Sequence, residues 1–210
     1  EDHDSYYLNY SNGVLWPVFH YRLDLADFDA GGIAGYRRVN QMFAQKLKAL
    51  LRPDDVVWVH DYHLIPLAAE LRAMGCAQRM GFFLHIPLPP PLILAALPEH
   101  DWLMRSLFAY DLVGLQSEAD VAHFARYVGT ETGADVLGEH EFRAYGKTLQ
   151  VQAFPIGIDV DEFQALAEAK DAQDMLAQMR AEVPHGGGHA DIGLVEDPPR
   201  RPGHENLFVL

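Results

Sequence analysis

A chain of 210 residues that is 49% hydrophobic is long and apolar enough for one sizeable α/β domain, or a domain plus a fragment, and is not expected to be disordered throughout. Its formal charge of −14, from 16 Lys and Arg against 30 Asp and Glu, excludes nucleic acid and an anionic membrane as natural partners. A phosphate backbone needs clustered cations, whereas a small phosphorylated ligand needs only a few local donors.

The single cysteine, Cys76, allows no internal disulfide and fits a reducing cytoplasm. No apolar run approaches the roughly 20 residues of a membrane span, and no signal-peptide pattern is present. The chain starts at Glu1 rather than Met, in mid-pattern, so its natural N-terminus is expected further upstream.

Residues 1–31 are aromatic and rich in turn formers, with no clean period, and read as a loop packed by its own rings. Tyr6, Tyr7, Tyr10, Trp16, Phe19, His20 and Tyr21 offer apolar faces with polar tips, which would also suit the wall of a sugar pocket. Gly32–Leu51 reads as a helix with Tyr36, Val39, Phe43, Leu47 and Leu50 or Leu51 on one face. Val56–Val59 is a short β-branched strand that ends on His60-Asp61-Tyr62-His63. Leu64–Met74 then has helical spacing and stops at Gly75. Met80–Leu84 is a second apolar strand, ending on His85. Two such strands joined by a helix make a βαβ unit, and ligands bind beyond the carboxyl ends of its strands. His60, Asp61, His63 and His85 all fall there, which is the strongest functional signal in the sequence.

The prolines at 87, 89, 90 and 91 make a stiff loop that cannot join a ladder. Helical stretches follow at 92–97 and 102–110, then a strand at 112–115. Ser117 is a suitable N-cap for a helix over 118–128. A fourth strand spans 151–154, a turn follows at 155–159, and two helices lie near 161–170 and 172–182. This alternation predicts a doubly wound parallel α/β sheet. From Gly186 the chain is rich in Gly and Pro and reads as an irregular or disordered tail, with 192–195 and 206–210 as isolated extended pieces at most.

A metal centre is not expected: the histidines show no established ligand spacing, and CxxC and HExxH patterns are absent. No GxSxG elbow and no GxGxxG loop follows a strand, so no triad hydrolase and no nicotinamide or flavin cofactor is expected. Recognition of a hydroxyl-rich ligand is the better reading. Asp61 can accept two hydrogen bonds from adjacent hydroxyls, and His85 can donate or accept one. For His60 and His63 the plainer expectation is core-facing rings bonded to backbone.

The stretches YYLNYSNGVLWPVFHYRLD (6–24), GYRRVN (35–40), VVWVHDYHLIPLAAELR (56–72), GFFLHIPLPPP (81–91), YDLVGLQSEADVAHF (110–124) and FPIGID (154–159) resemble the trehalose-6-phosphate synthases, retaining glycosyltransferases of the two-domain GT-B type. The resemblance covers most of residues 1–185. It implies a Rossmann-like, acceptor-side N-terminal domain over 1–185, with its own N-terminus missing, a tail over 186–210 and no donor domain. It also implies transfer of glucose from UDP-glucose to glucose 6-phosphate, with no metal, no cofactor and no enzymatic nucleophile, the leaving phosphate taking the acceptor proton on the same face. By resemblance Tyr7 contacts the acceptor phosphate, Trp16 lines the acceptor pocket and Asp61 binds acceptor hydroxyls. His85 lies at the reaction centre, with Ile86 beside it shaping the anomeric geometry. The family's phosphate-gripping Arg and Lys, near a pattern like DRLDYSKG, and its N-terminal glycine-rich loop have no counterpart here. Three alternatives stay open: a piece of such a synthase inactive by itself, a non-catalytic sugar-phosphate-binding or regulatory relative, and a synthase for another phosphorylated polyol. The implied partners are small molecules, and a homo-oligomer of the full-length protein is compatible with them.

Overall fold

The computed structural model describes residues 2–28, 30–182 and 207–209. They divide into two compact units, one reaching residue 155 and taking in residues 207–209, the other covering 156–182.

In the first unit, strands β1 (Val56–His60), β2 (Arg79–Phe83), β3 (Leu112–Leu115) and β6 (Lys147–Ala153) lie side by side and parallel. Two further strands, β4 (Asp135–Val136) and β5 (Glu141–Ala144), add antiparallel to β6, and β7 (Leu207–Val209) pairs parallel to β1, giving the order β4-β5-β6-β3-β2-β1-β7. Nearly every residue of β2 and β3 is buried. Both faces of these central strands are therefore covered, as continuous apolar runs in a doubly wound sheet require.

The four expected parallel strands are present, and the sheet is larger than the sequence implied. The fourth strand starts at Lys147 because Tyr145 and Gly146, at φ 53° and 72°, form a two-residue turn with both central residues at positive φ. Such a turn returns the chain tightly on itself. Tyr-Gly is a weak sequence signal for it. The expected tail lies outside the described residues except for β7, which is paired to the edge of β1 rather than isolated.

The N-terminal loop reading is corrected. Residues Asp4–Leu15 form a π-helical segment, with i→i+5 bonding that continues through the Trp16 N–H to Ser11 O, and run directly into α1 (Trp16–Phe19). Buried positions recur every four residues, at Tyr10, Val14 and Val18 and again at Ser11, Leu15 and Phe19. In the sequence that spacing is hidden by Ser11-Asn12-Gly13, which reads as a turn, and by exposed apolar residues beside the buried ones, Tyr7, Leu8 and Trp16.

Helix α2 (Ala30–Lys48) buries Tyr36, Val39, Asn40, Ala44 and Leu47, while Phe43 and Leu50 turn outward. Asn40 takes an inward place because its amide donates to the carbonyls of Tyr36 (3.0 Å) and His63 (3.1 Å). The helix after β1 is shorter than the spacing indicated. A 3₁₀ turn over Tyr62–Leu64 precedes α3 (Leu67–Ala73), which starts after Pro66, and Gly75 at φ 85° ends it. Helices α4 (Pro91–Leu94), α5 (His100–Leu107) and α6 (Glu118–Tyr127) complete this unit. Ser117 caps α6 as expected, its hydroxyl accepting from the Asp120 N–H at 3.2 Å. The second unit holds α7 (Val160–Glu168), capped by Asp159, and α8 (Lys170–Glu182).

One glycine fixes the middle of the sheet. Trp58 on β1 pairs with Gly81 on β2, and a Cβ on Gly81 would be driven into the indole ring. Replacing Gly81 with Ala is expected to destabilise the fold by about 1–3 kcal/mol through overpacking. Urea denaturation of the two proteins checks this, and an unchanged midpoint refutes it.

Candidate functional site

The site is built on the two strand ends that β1 and β2 bring together. The last pair of the ladder is His60 with Phe83, and the Asp61 N–H extends it by donating to Phe83 O at 2.8 Å. Asp61 then leaves the strand at φ 70°, ψ 167°, a backbone region close to glycine-only that costs about 1–3 kcal/mol. Strain of that size persists only where the surroundings enforce it. Here the three carbonyls that follow Asp61 are each held from below by a side chain. Tyr36 Oη donates to Tyr62 O at 2.5 Å, Asn40 Nδ2 to His63 O at 3.1 Å, and Tyr110 Oη to Leu64 O at 3.1 Å. Burial pushes both phenols above their ordinary range, so they remain donors.

The Asp61 carboxylate is placed by the same turn. Oδ1 accepts from the Tyr62 N–H at 3.0 Å and from the His85 N–H at 3.4 Å. Among the described residues Oδ2 receives no hydrogen bond from the protein, leaving one carboxylate oxygen open at the sheet edge.

His85 follows β2 on the proline-rich loop. Within 87–91 only Leu88 has a backbone N–H. It donates to Asp120 Oδ1 at 3.0 Å, while Leu88 O accepts from His123 Nδ1–H at 2.8 Å. Helix α6 thus clamps both peptide groups of the one residue able to offer them, and Gln116 Nε2 adds a bond to His85 O at 3.3 Å. The His85 ring projects outward, with its Nε2 2.7 Å from His60 Nδ1 and the two rings stacked at 5.0 Å. Ile86 beside it is partly buried against the core.

The expectation for His60 and His63 changes. Among the described residues neither ring bonds to backbone. His60 is the partner of His85, and His63 lies between rings, 5.5 Å from Tyr7 and 4.0 Å from Tyr62. Burial first, and then His85, lowers the pKa of His60, with Asp61 opposing; burial likewise lowers that of His63, again opposed by Asp61.

Tyr7 therefore reaches the cluster through His63, and the π-helical segment is further tied to it by Tyr62 Oη donating to Asn12 Oδ1 at 2.8 Å. Trp16 stacks instead on His20 at 4.1 Å and makes no ring contact or hydrogen bond with His60, His63 or His85. Both Tyr7 and Trp16 keep about two fifths of their surface exposed, 42% and 40%. Asp61 and His85 meet at one strand edge, Ile86 follows His85 in sequence, Tyr7 reaches them through His63, and Trp16 stacks on His20.

Sequence reasoning missed the supporting residues Tyr36, Asn40, Tyr110, Asp120, His123 and Gln116. The one readable signal was Leu88, a lone N–H among prolines that had to find an acceptor. Among the described residues, no group of three or more His, Cys, Asp or Glu is placed to hold a metal ion, and no helix is long and apolar enough to cross a membrane. A hollow of about 380 Å³ lined by Arg72, Arg105, Phe108, Tyr145 and Lys147 lies at the opposite, amino edge of the sheet and contains none of the site residues.

The arginines near the N-terminus are already engaged. Arg22 makes two 2.8 Å bonds to Asp24. Arg37 pairs with Glu99 at 3.2 Å and lies over the Trp102 ring at 4.1 Å. Arg38 bonds Asp2 at 2.7 and 3.0 Å.

Comparison with known proteins gives a consistent result. The family described as Glycosyltransferase family 20 matches residues 1–187. The trehalose-6-phosphate synthase of Cronobacter sakazakii is 49% identical over 183 residues, which is 87% of this chain and 38% of the relative. That of Klebsiella pneumoniae is 48% identical over 182 residues. Among solved structures, the E. coli protein bound with UDP-2-fluoro glucose superposes with a TM-score of 0.79 at 45% identity, over 86% of this chain and 40% of that one. The UDP-forming synthase from Burkholderia xenovorans in complex with glucose-6-phosphate gives 0.77 at 44%, over 85% of this chain and 41% of that one. The chain thus spans about two fifths of the length of the proteins it matches.

Two outcomes follow from the site geometry. Asp61→Gly relieves the backbone strain and gives up little at the cap, whereas Asp61→Ala keeps the strain and loses the cap. The glycine variant is expected to be the more stable by about 1–3 kcal/mol, read by urea denaturation; equal stability would mean that Asp61 is not strained.

The second concerns acid. His60 and His63 bind protons less readily folded than unfolded, so their contribution to stability is complete above the ordinary histidine value of 6.5. It is lost as pH falls from there through their lowered values. The melting temperature should fall between pH 7 and pH 5, and fall less in a His60→Asn, His63→Asn double variant; parallel curves would exclude these rings.

Proposed function

Because the chain belongs to glycosyltransferase family 20, we propose that it is the acceptor-side part of a retaining glucosyltransferase that moves glucose from UDP-glucose to glucose 6-phosphate, releasing UDP and trehalose 6-phosphate. The observation that carries this reading is Asp61: a strained residue at two joined strand ends, one carboxylate oxygen committed to the turn and the other open beside His85. A carboxylate held this way accepts from a sugar hydroxyl with little left to reorganise, and an analogue lacking that hydroxyl leaves it unpaired. Asp61 binds acceptor hydroxyls, His85 stands at the reaction centre, and Ile86 shapes the space at the anomeric carbon. Tyr7 contacts the acceptor phosphate, and Trp16 forms an outer wall of the acceptor pocket.

The paired carboxylates that a glycosidase would use have no counterpart in this role. Catalysis then depends on positioning the acceptor and on stabilising charge at the departing phosphate. Arg22, Arg37 and Arg38 are each paired with a carboxylate, so the countercharge comes from elsewhere. In our reading residues 1–185 form the acceptor-side domain, and a second, donor-side domain supplies the cations and closes over the substrates to exclude water. The substrates are soluble sugar phosphates and the one thiol, Cys76, is free and buried, in keeping with a cytoplasmic enzyme.

The reading is tested by supplying UDP-glucose and glucose 6-phosphate and following UDP release. The 210-residue chain should turn over at least a hundredfold more slowly than a full-length relative, a difference of about 2.7 kcal/mol in barrier. Replacing the matching segment of the Cronobacter sakazakii synthase with this one should give an active hybrid. In that hybrid Asp61→Ala should weaken use of glucose 6-phosphate by about 1–3 kcal/mol. An inactive but folded hybrid, or an Asp61→Ala hybrid with unchanged acceptor kinetics, refutes the assignment.

A further inference from the structure

We propose that His60 is a positioning residue that holds His85 as its Nε2–H tautomer, so that His85 presents the bare Nδ1 to the ligand as an acceptor. The role of His85 in ligand binding rests on the reading above; the tautomer and its cause do not.

The main chain and ring of His85 are held by different groups. Its N–H is directed to Asp61 Oδ1 and its carbonyl to Gln116, whereas the sole hydrogen bond on the imidazole, among the described residues, is the 2.7 Å bond to His60 Nδ1. His60 is framed by aromatic rings: Trp58 meets it edge-on at 6.0 Å, Phe83 lies tilted to it at 6.3 Å, and Phe83 also meets His85 edge-on at 4.8 Å. Trp58 is in turn seated over Gly81. The acceptor ring is thus placed by the sheet itself, and the exposed ring of His85 takes its orientation from it.

A 2.7 Å bond between two neutral imidazoles requires one N–H and one lone pair, which leaves two arrangements. If His60 donates, both rings adopt the Nδ1–H form, the less favoured tautomer of a histidine side chain. If His85 donates, both keep the favoured Nε2–H form. The second arrangement is the lower in energy, and burial, by lowering the pKa of His60, favours the neutral ring that can accept. His85 Nδ1 and Asp61 Oδ2 are then two acceptors presented at one strand edge. Such a pair selects a ligand that brings two hydroxyl donors, and it disfavours a deoxy or O-methylated analogue, which leaves an acceptor unmatched.

The test is a long-range ¹H–¹⁵N correlation spectrum of the imidazoles in the uniformly labelled chain at neutral pH. His85 is expected with Nε2 protonated and Nδ1 bare. His60→Asn, whose Oδ1 reaches the place of the lost Nδ1, should preserve that pattern. His60→Leu, of similar size without an acceptor, should let His85 exchange between both tautomers. The proposal is overturned if wild-type His85 carries its proton on Nδ1, or if a folded His60→Leu protein retains the pure Nε2–H pattern. Should the leucine variant fail to fold, the wild-type and His60→Asn spectra decide alone. Titration with glucose 6-phosphate separates the two layers. If it leaves the His85 Nδ1 signal unmoved while the tautomer is as expected, the ligand role fails and the positioning role stands.

Discussion

The candidate site depends on a single turn held in an unfavourable backbone conformation. Asp61 would relax if the residues after it were free to move. They are not, because Tyr36, Asn40 and Tyr110 reach the three successive carbonyls of Tyr62, His63 and Leu64. Each of these donors is itself buried or nearly so, and releasing any of them would strand a polar group in the core. The hydrophobic interior therefore enforces the geometry at the surface. The GYRRVN stretch gains a physical meaning from this: Tyr36 and Asn40 are one helical turn apart on the inner face of α2 and grip adjacent peptide groups of the turn.

Register carries the same constraint into the sheet. With Trp58 opposite Gly81, His60 falls opposite Phe83, and Asp61 and His85 emerge on neighbouring strand ends. A slip of one residue would set the indole against Met80 or Phe82 and turn the inward-facing residues outward. The same small residue that lets Trp58 lie flat thus aligns the acceptor groups several residues away.

Much of this was legible in the sequence, for identifiable reasons. The strands at 56–60, 79–83 and 112–115 are short, apolar and bounded by polar turns. Ser117 and Gly75 punctuate helices by mechanisms that depend on one residue. Asp61 and His85 stood out because they follow strands. What could not be read was cooperative. The β5–β6 hairpin turns on Tyr145-Gly146, where only the observed positive φ values reveal the turn type. The helical winding of residues 4–15 runs through Ser11-Asn12-Gly13, a stretch that reads as a turn. The partnership of His60 with His85 joins residues 25 apart and depends on β1 and β2 being neighbours, so composition alone could indicate only that both rings lie near a strand end.

The π-helical winding has a geometric result for the two exposed aromatics it connects. Tyr7 and Trp16 are nine positions apart. In an α-helix that interval is two and a half turns, so the rings would point in opposite directions. At the wider winding of about 4.4 residues per turn that i→i+5 bonding gives, it is close to two full turns, which brings the two positions towards one side. The segment acts as a spacer whose pitch sets the angle between its two ends. Its length is then more constrained than its composition. Exchanging one exposed residue within it changes one contact, whereas deleting one residue would rotate Tyr7 by nearly a quarter turn relative to Trp16 and take it off the face of His63.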